Sequence, residues 1–310
     1  MLKMKKDFIS IKDLTKKEIE DILNLTDQLK KNKAKFSKVL SGKTLALIFQ
    51  KPSNRTRVSF EVGMYQLGGN ALYLAPNEIN LGVRESIKDV AKTLSRYVDA
   101  IVLRTFEHKN VLEMAKYSDK PVINGLSDFS HPCQALADVY TIREKLKILK
   151  GVTLAYVGDG NNVAHSLLYA SAKVGMNMNV ATPEGYEPDK AVVKEAKDIA
   201  KTSNAAINLF HDPFKAVNNA SVIYTDVWAS MGQEKEAVAR KIAFKGFQIN
   251  KNLVKTAKRS ALIMHCLPAH RGEEITDEVI DGANSIVFEQ AENRMHAQKA
   301  ILIKLLGGKI

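Results

Sequence analysis

Short apolar runs alternate with helix-length amphipathic stretches along most of the chain, and that alternation constrains the fold more than any other feature. Thr44–Phe49, Asn70–Leu74, Ala100–Leu103 and Pro121–Asn124 read as strands, with segments of helical apolar spacing between them. The pattern resumes at Val152–Val157 and continues through 178–181, 207–210, 222–225, 261–264 and 285–288. Strands separated by helices do not close as hairpins. They pair in parallel and bury both sheet faces under the helices. The expected class is therefore α/β, with two domains that are each a mainly parallel sheet flanked by helices, joined by helices. A length of 310 residues is more than one ordinary core holds, which supports the division. The change of domain is expected near residue 147, at the end of a long helix over 133–149, giving domains 1–147 and 148–291. A last helix from Glu292 to Leu306 carries an apolar face (Ala297, Ala300, Ile301, Ile303, Leu305), and segment 292–310 is expected to complete the first domain.

Charge narrows the partners. Lys plus Arg number 46 against 34 Asp plus Glu, a net charge of +12 that favours anions. The lysines fall on helical faces, as Lys190, Lys194, Lys197 and Lys201 do, without interleaved aromatics or a nucleic-acid-binding motif. No nucleic-acid partner is expected. No apolar run is long enough to cross a bilayer, and the basic opening Met1–Lys6 precedes no apolar signal core, so a cytoplasmic protein with no membrane partner is expected. Cys133 and Cys266 alone cannot build a disulfide scaffold.

The segment Phe49-Gln50-Lys51-Pro52-Ser53-Asn54-Arg55-Thr56-Arg57 joins the first strand to a helix that ends at Gly68-Gly69. Ser53 or Asn54 stands where a helix is capped. Free backbone N–H groups and the positive end of the helix dipole meet at such a turn. Acidic residues normally occupy a helix start; here two arginines do, with hydroxyl and amide side chains beside them. Phosphate is the ligand that calls for this arrangement. Arg104 ends the third strand, and Ser127-Asp128-Phe129-Ser130-His131-Pro132-Cys133-Gln134 leads from the fourth into a helix with Pro near its first position. Ligands of parallel sheets gather beyond the carboxyl ends of strands, so Arg104 and His131 fall on the same edge as the turn.

The second half carries Gly158-Asp159-Gly160 after a strand. Val163 occupies the third glycine position of the dinucleotide fingerprint, and the next strand ends in Ala181-Thr182-Pro183 with no acid for a ribose. A nicotinamide-dependent dehydrogenase is thereby disfavoured, and no cofactor is expected. Asn161-Asn162 at the following helix start suits a carboxylate. Asp226-Val227-Trp228-Ala229-Ser230-Met231-Gly232 puts an acid at a strand end, suited to an ammonium group. Residues 229–245, polar and with Gly232 as hinge, read as a lid. In His265-Cys266-Leu267-Pro268-Ala269-His270 a zinc site lacks a fourth ligand, so no metal is expected, and Cys266 reads either as a plain buried thiol or as one activated by nearby cations. Arg294 at the start of the last helix is a further anion contact.

Taken together, the Ser53–Arg57 turn, Arg104, the His131–Gln134 turn, the Asp226–Gly232 loop and the His265–Gly272 loop resemble the aspartate/ornithine carbamoyltransferase family, its ornithine branch above all. The similarity covers nearly the whole chain, with the motifs in family order. It implies a carbamoyl-phosphate domain followed by an amino-acid domain, a homotrimer or multiple of trimers, and transfer of the carbamoyl group to the δ-amine of L-ornithine, giving citrulline and phosphate in arginine synthesis or, reversed, in its breakdown. By the resemblance Ser53, Asn54, Arg55 and Thr56 would hold the phosphate with Arg104 and Arg294. Thr56, Arg104 and His131 would bond the carbonyl oxygen, while Gln134 and the Leu267 carbonyl would face the carbamoyl nitrogen. Asn162, Asp226, Ser230 and Met231 would hold the ornithine amino and carboxylate groups, with Cys266 beside the side-chain amine, so that Arg104, His131 and Cys266 form the catalytic set. Two positions depart from the family pattern: Asn54 stands where Thr is usual, and Asn80 or a near neighbour where many members have a Gln that reaches an adjacent subunit.

Overall fold

A computed structural model of the protein describes residues 7–230 and 232–307. These residues pack as two units, one running to Tyr140 and resuming at Glu292, the other spanning Thr141–Ala291. The first unit begins with α1 (Lys16–Lys31), set by a capping box in which Thr15 and Glu18 satisfy each other's backbone N–H. It continues through β1 (Thr44–Phe49), α2 (Asn54–Gln66), β2 (Asn70–Leu74), the short α3 (Pro76–Ile79), α4 (Ile87–Tyr97), β3 (Ala100–Arg104), α5 (His108–Tyr117) and β4 (Val122–Leu126), and opens α6 (Pro132–Leu146). The sheet order is β2-β1-β3-β4, every pair parallel. Ala46, Ile48, Ile101, Leu103 and Val122 on the strands pack against Val90, Ala91, Val111 and Met114 of the covering helices. The alternate residues Leu45, Leu47, Val102 and Ile123 are buried as well, so β1, β3 and β4 are covered on both faces, as a parallel sheet requires. Chain order reverses between β1 and β3, which lie in register with Phe49 opposite Arg104. That is the switch point of an open parallel sheet, where the loops after two strands leave a crevice.

The second unit carries β5 (Thr153–Val157), α7 (Asn162–Val174), β6 (Asn177–Ala181), α8 (Lys190–Ser203), β7 (Ile207–Phe210), α9 (Pro213–Val217), β8 (Val222–Thr225), α10 (Ala237–Ala243), α11 (Lys251–Val254), β9 (Leu262–His265) and α12 (Asp277–Ile280). Its order is β7-β6-β5-β8-β9, again all parallel, with the switch between β5 and β8. Ala155, Val157, Ile223 and Ile263 share a core with Trp228, Phe244, Phe247 and Ile249. α13 (Val287–Leu306) begins here and returns the chain to the first unit.

One expected strand is absent. Residues 285–288 make a single bridge, Ser285 with Ile263, and then enter α13. The apolar run Ile286-Val287-Phe288 is too short to separate strand from helix by period. Phe288 is exposed, whereas Val287 is buried one residue earlier, as the face of a helix demands. Among the described residues no helix is long and apolar enough to cross a membrane.

Candidate active site

At the switch point of the first unit the chain leaves β1 and turns into α2. Ser53 is the N-cap, its φ of −159° extended, and its Oγ accepts from the Thr56 N–H at 3.2 Å. Capping buries the Thr56 side chain completely and aims its Oγ1 at two guanidiniums: Arg294 donates at 2.6 Å and Arg104 at 3.4 Å. Arg294 comes from α13, Arg104 from the end of β3, so three distant stretches of sequence meet on one hydroxyl. Arg294 also donates to Gln134 Oε1 at 3.1 Å and to His131 Nε2 at 3.2 Å. Since guanidinium only donates, His131 accepts at Nε2 and is the neutral Nδ1–H tautomer. Gln134 Nε2 donates to Asp138 Oδ1 at 2.8 Å. The amide of Gln134 is thus held by two partners within the fold.

Positive charge is crowded in this cluster. Burial, then the neighbouring Arg294 and Arg55, push Arg104 down to about 9, and its Nε has no hydrogen-bond partner. Burial, then Arg294 and Arg104, hold His131 well below its ordinary value. Cations crowded together out of water raise each other's free energy, and an anion placed among them would lower it. Asn54 is exposed at the first helical position, and Arg55 is half-buried. Arg57 does not join them, contrary to the expectation that both arginines of the turn converge. It lies over the Tyr73 ring at 3.7 Å and pairs with Glu61 at 3.0 Å, because a residue one turn into the helix faces β2 rather than the strand ends. Two neighbours that sequence reading did not single out belong here. Lys51 is 7% exposed with its ammonium 4.2 Å from the Phe106 ring, and Gln50 Nε2 donates to the Leu81 carbonyl at 2.9 Å, tying the 80–85 loop to the turn. Their only signal was adjacency to Pro52.

In the second unit the corresponding edge carries a carboxylate and a thiol. Asn161 caps α7, its Oδ1 accepting from Val163 and Ala164 N–H, and its Nδ2 donates to Asp226 Oδ2 at 2.8 Å. Asp226 Oδ1 accepts from its neighbour Val227 N–H at 2.8 Å and from Cys266 Sγ at 3.0 Å. Asn162, beside the cap, starts the helix; Ser230 is half-buried with its N–H on Gln233 Oε1 at 2.9 Å. Met231 lies outside the described residues. Gly160 is explained by packing: a Cβ there would stand 2.2 Å from Pro188 N. The Gly-x-Gly pair therefore serves a close backbone approach. The segment read as a lid is anchored within this unit, since Arg240 bridges Asp159 at 3.0 Å and donates to the Trp228 carbonyl at 2.9 Å. Burial pushes Asp159 up to about 6 despite that partner.

Asp226, His265 and Cys266 offer ligand atoms within 4.8 Å of one another. The donor set suits a metal poorly, because both His265 nitrogens are engaged: Nδ1 accepts the Leu267 N–H at 2.9 Å and Nε2 meets Glu274 Oε1 at 3.0 Å. Of the remaining assigned residue in this loop, Leu267 is half-buried with φ +58°.

The carbamoyl-P binding domain of the aspartate/ornithine carbamoyltransferases matches residues 6–144, and the Asp/Orn binding domain of the same family matches residues 150–305. An ornithine carbamoyltransferase of Thermococcus kodakarensis is 59% identical over 98% of this chain and 97% of its own length. An anabolic ornithine carbamoyltransferase of Pyrococcus furiosus is 58% identical over 98% of this chain and 96% of its own. Among solved structures, that of the Pyrococcus furiosus ornithine carbamoyltransferase superposes with a TM-score of 0.96 at 56% identity, covering 100% of both chains. The anabolic ornithine carbamoyltransferase of Campylobacter jejuni superposes with a TM-score of 0.93 at 39% identity, covering 97% and 99%.

Proposed function

This chain belongs to the aspartate/ornithine carbamoyltransferase family, and from that premise we propose how its residues divide the work of carbamoyl transfer. The protein transfers the carbamoyl group of carbamoyl phosphate to the δ-amine of L-ornithine, giving L-citrulline and phosphate. The observation that carries the residue assignment is the convergence of Arg294 and Arg104 on Thr56 Oγ1, with Arg55 close enough to depress Arg104.

In this reading the phosphate of the first substrate sits at the start of α2, held by Ser53, Asn54, Arg55, Thr56, Arg104 and Arg294. Helix dipole and guanidiniums act in the same sense there. Thr56 and Arg104 donate to the carbonyl oxygen, joined by neutral His131 once Arg294 turns to the phosphate and the imidazole proton sits on Nε2, and they stabilise the oxygen as it gains charge in the tetrahedral intermediate. Gln134 and the Leu267 carbonyl orient the carbamoyl nitrogen. Asp226 accepts from the α-ammonium of ornithine, and Asn162, Ser230 and Met231 complete that subsite. The δ-amine titrates near ~10 and must lose a proton before its lone pair attacks the carbonyl carbon. A C–N bond then forms and the C–O bond to phosphate breaks; the attacking nitrogen sheds its second proton to the departing phosphate, while the first, lost before attack, passes to Cys266 or to phosphate. A Cys266→Ser variant decides between them: an altered pH–rate profile assigns the proton to the thiol, an unchanged one to phosphate.

The protein acts as a homotrimer or a multiple of trimers. Val58, Val62 and Tyr65 form an exposed apolar row on α2, and Leu72 is 47% exposed on the edge strand β2, which supports self-association on that side. Light scattering of the purified protein checks the assembly. Cytoplasmic location and the synthetic direction complete the reading; the anabolic Pyrococcus furiosus relative supports the latter. Citrulline formation from carbamoyl phosphate and ornithine, with aspartate, putrescine and N-acetylornithine as competing acceptors, tests the function. Ornithine is expected to be carbamoylated fastest, and a faster rate with another amine would overturn the assignment.

A further inference from the structure

The loop after β9 is fastened at both sides by one carboxylate oxygen. Glu274 and His265 are fully buried, each 0% exposed. Glu274 Oε1 accepts directly from the His270 N–H at 2.6 Å. The same oxygen meets His265 Nε2 at 3.0 Å, and His265 Nδ1 accepts the Leu267 N–H at 2.9 Å. An imidazole whose Nδ1 accepts a backbone N–H carries its proton on Nε2 and donates it to the carboxylate. Donation thus runs from the Leu267 N–H to His265 and from His265 to Glu274, which accepts from the His270 N–H as well. His265 is itself fixed, its N–H donating to Gln290 Oε1 at 3.0 Å, while Gln290 Nε2 donates to the Tyr224 hydroxyl of β8 at 3.2 Å.

These bonds act on a backbone that would not hold its shape unaided. Leu267 has φ +58°, a region an ordinary side chain avoids, and the Leu267 N–H lies on the peptide plane it shares with Cys266. Pinning that plane orients both the Cys266 thiol, set on Asp226 at 3.0 Å, and the Leu267 carbonyl. We propose that His265 and Glu274 are positioning residues for carbamoyl transfer, holding Cys266 and Leu267 in the geometry the reacting groups require. The inference rests on the reaction assigned above and adds two residues that touch neither substrate in that reading.

Misplacement of about 1 Å at a reacting centre can cost ~10²-fold in rate. Glu274→Ala is expected to lower kcat by about 10- to 100-fold while changing the dissociation constant for carbamoyl phosphate alone far less, because in the proposed reading its charged phosphate is held by Ser53, Arg55, Arg104 and Arg294 and only its nitrogen by Leu267. A carboxamide oxygen accepts both bonds, so Glu274→Gln restores most of the turnover that Glu274→Ala loses. His265→Asn keeps an acceptor for Leu267 but breaks the link to Glu274, and is expected to fall between them. A second readout needs no turnover: iodoacetamide labelling of Cys266, with buried Cys133 as internal control, is faster in Glu274→Ala and His265→Asn than in the parent. If Glu274→Ala does not fold, the comparison of His265→Asn with the parent decides. Equal kcat and equal labelling rates in folded variants overturn the proposal, as does loss of thermal stability with kcat retained. A parent protein that forms no citrulline instead overturns the reaction, and the labelling arm still tests the positioning.

Discussion

The strand ends of the two units solve opposite problems. In the first, cations are brought together out of water: Arg104 is pushed down by burial and by Arg294 and Arg55, and the hydroxyl of Thr56 takes both Arg104 and Arg294. In the second, Asp226 is already surrounded by donors, from Asn161, Val227 and Cys266, and the charged lid residue Arg240 is paired with Asp159. One cluster gathers positive charge; the other holds its carboxylate in a net of donors. The difference teaches where substrate binding energy acts. Under the proposed assignment a multiply charged phosphate would relieve repulsion among the cations, whereas an amino acid would exchange existing hydrogen bonds for its own.

The sharpest way to break this contrast is Arg104→Ala. In the proposed reading it removes a donor to the developing oxyanion, and is expected to cost about 2.7–4 kcal/mol, or ~10²- to 10³-fold in kcat, with circular dichroism unchanged. A near-normal turnover would show that the crowded cations bind without assisting the chemistry. Next in size is Asp226→Ala, for which steady-state kinetics should give a KM for ornithine raised about 10- to 100-fold, the loss expected of a charged hydrogen bond, with carbamoyl phosphate affinity unaffected. Equal weakening of both substrates would mean that the two sites are not independent in binding. Thr56→Val keeps shape but deletes the shared hydroxyl, and calorimetric titration with carbamoyl phosphate should show a loss of about 1 kcal/mol, roughly fivefold.

The smallest effect is on pH. The folded protein holds His131 below its ordinary value near 6.5, so the unfolded chain binds a proton there before the native state does. Stability therefore falls as pH drops below about 6.5 and is fully present above it. Urea midpoints at pH 7 and pH 5 should differ less in His131→Asn than in the parent; an equal difference would place the acid sensitivity elsewhere.

Much of this was legible before any coordinates. β1, β3 and β5 fall on the expected apolar runs because a buried parallel strand needs an unbroken apolar stretch, and local sequence supplies it directly; the edge strand β2 also falls where expected, though none of its residues is buried. The cap at Ser53 is likewise a local event, read from a hydroxyl ahead of a helix. Arg57 was misjudged because composition gives a charge but not its direction; one helical step turned it onto Tyr73. The 285–288 segment failed for want of length, since a short apolar run carries no period.

The sequence by itself determined the α/β class, the capped strand-to-helix turn at Ser53 and the family, because these depend on residue type and spacing along the chain. Tertiary structure alone decided that Arg294, Arg104 and Thr56 share one point, that Asp226 meets Cys266, and that Glu274 governs the backbone of Leu267 through His265. Those contacts join residues far apart in number or facing through a buried ring, and they exist only once the sheet register and helix packing have fixed where each strand ends. Periodicity is a property of neighbours in the chain; a hydrogen bond across strands is a property of the folded register.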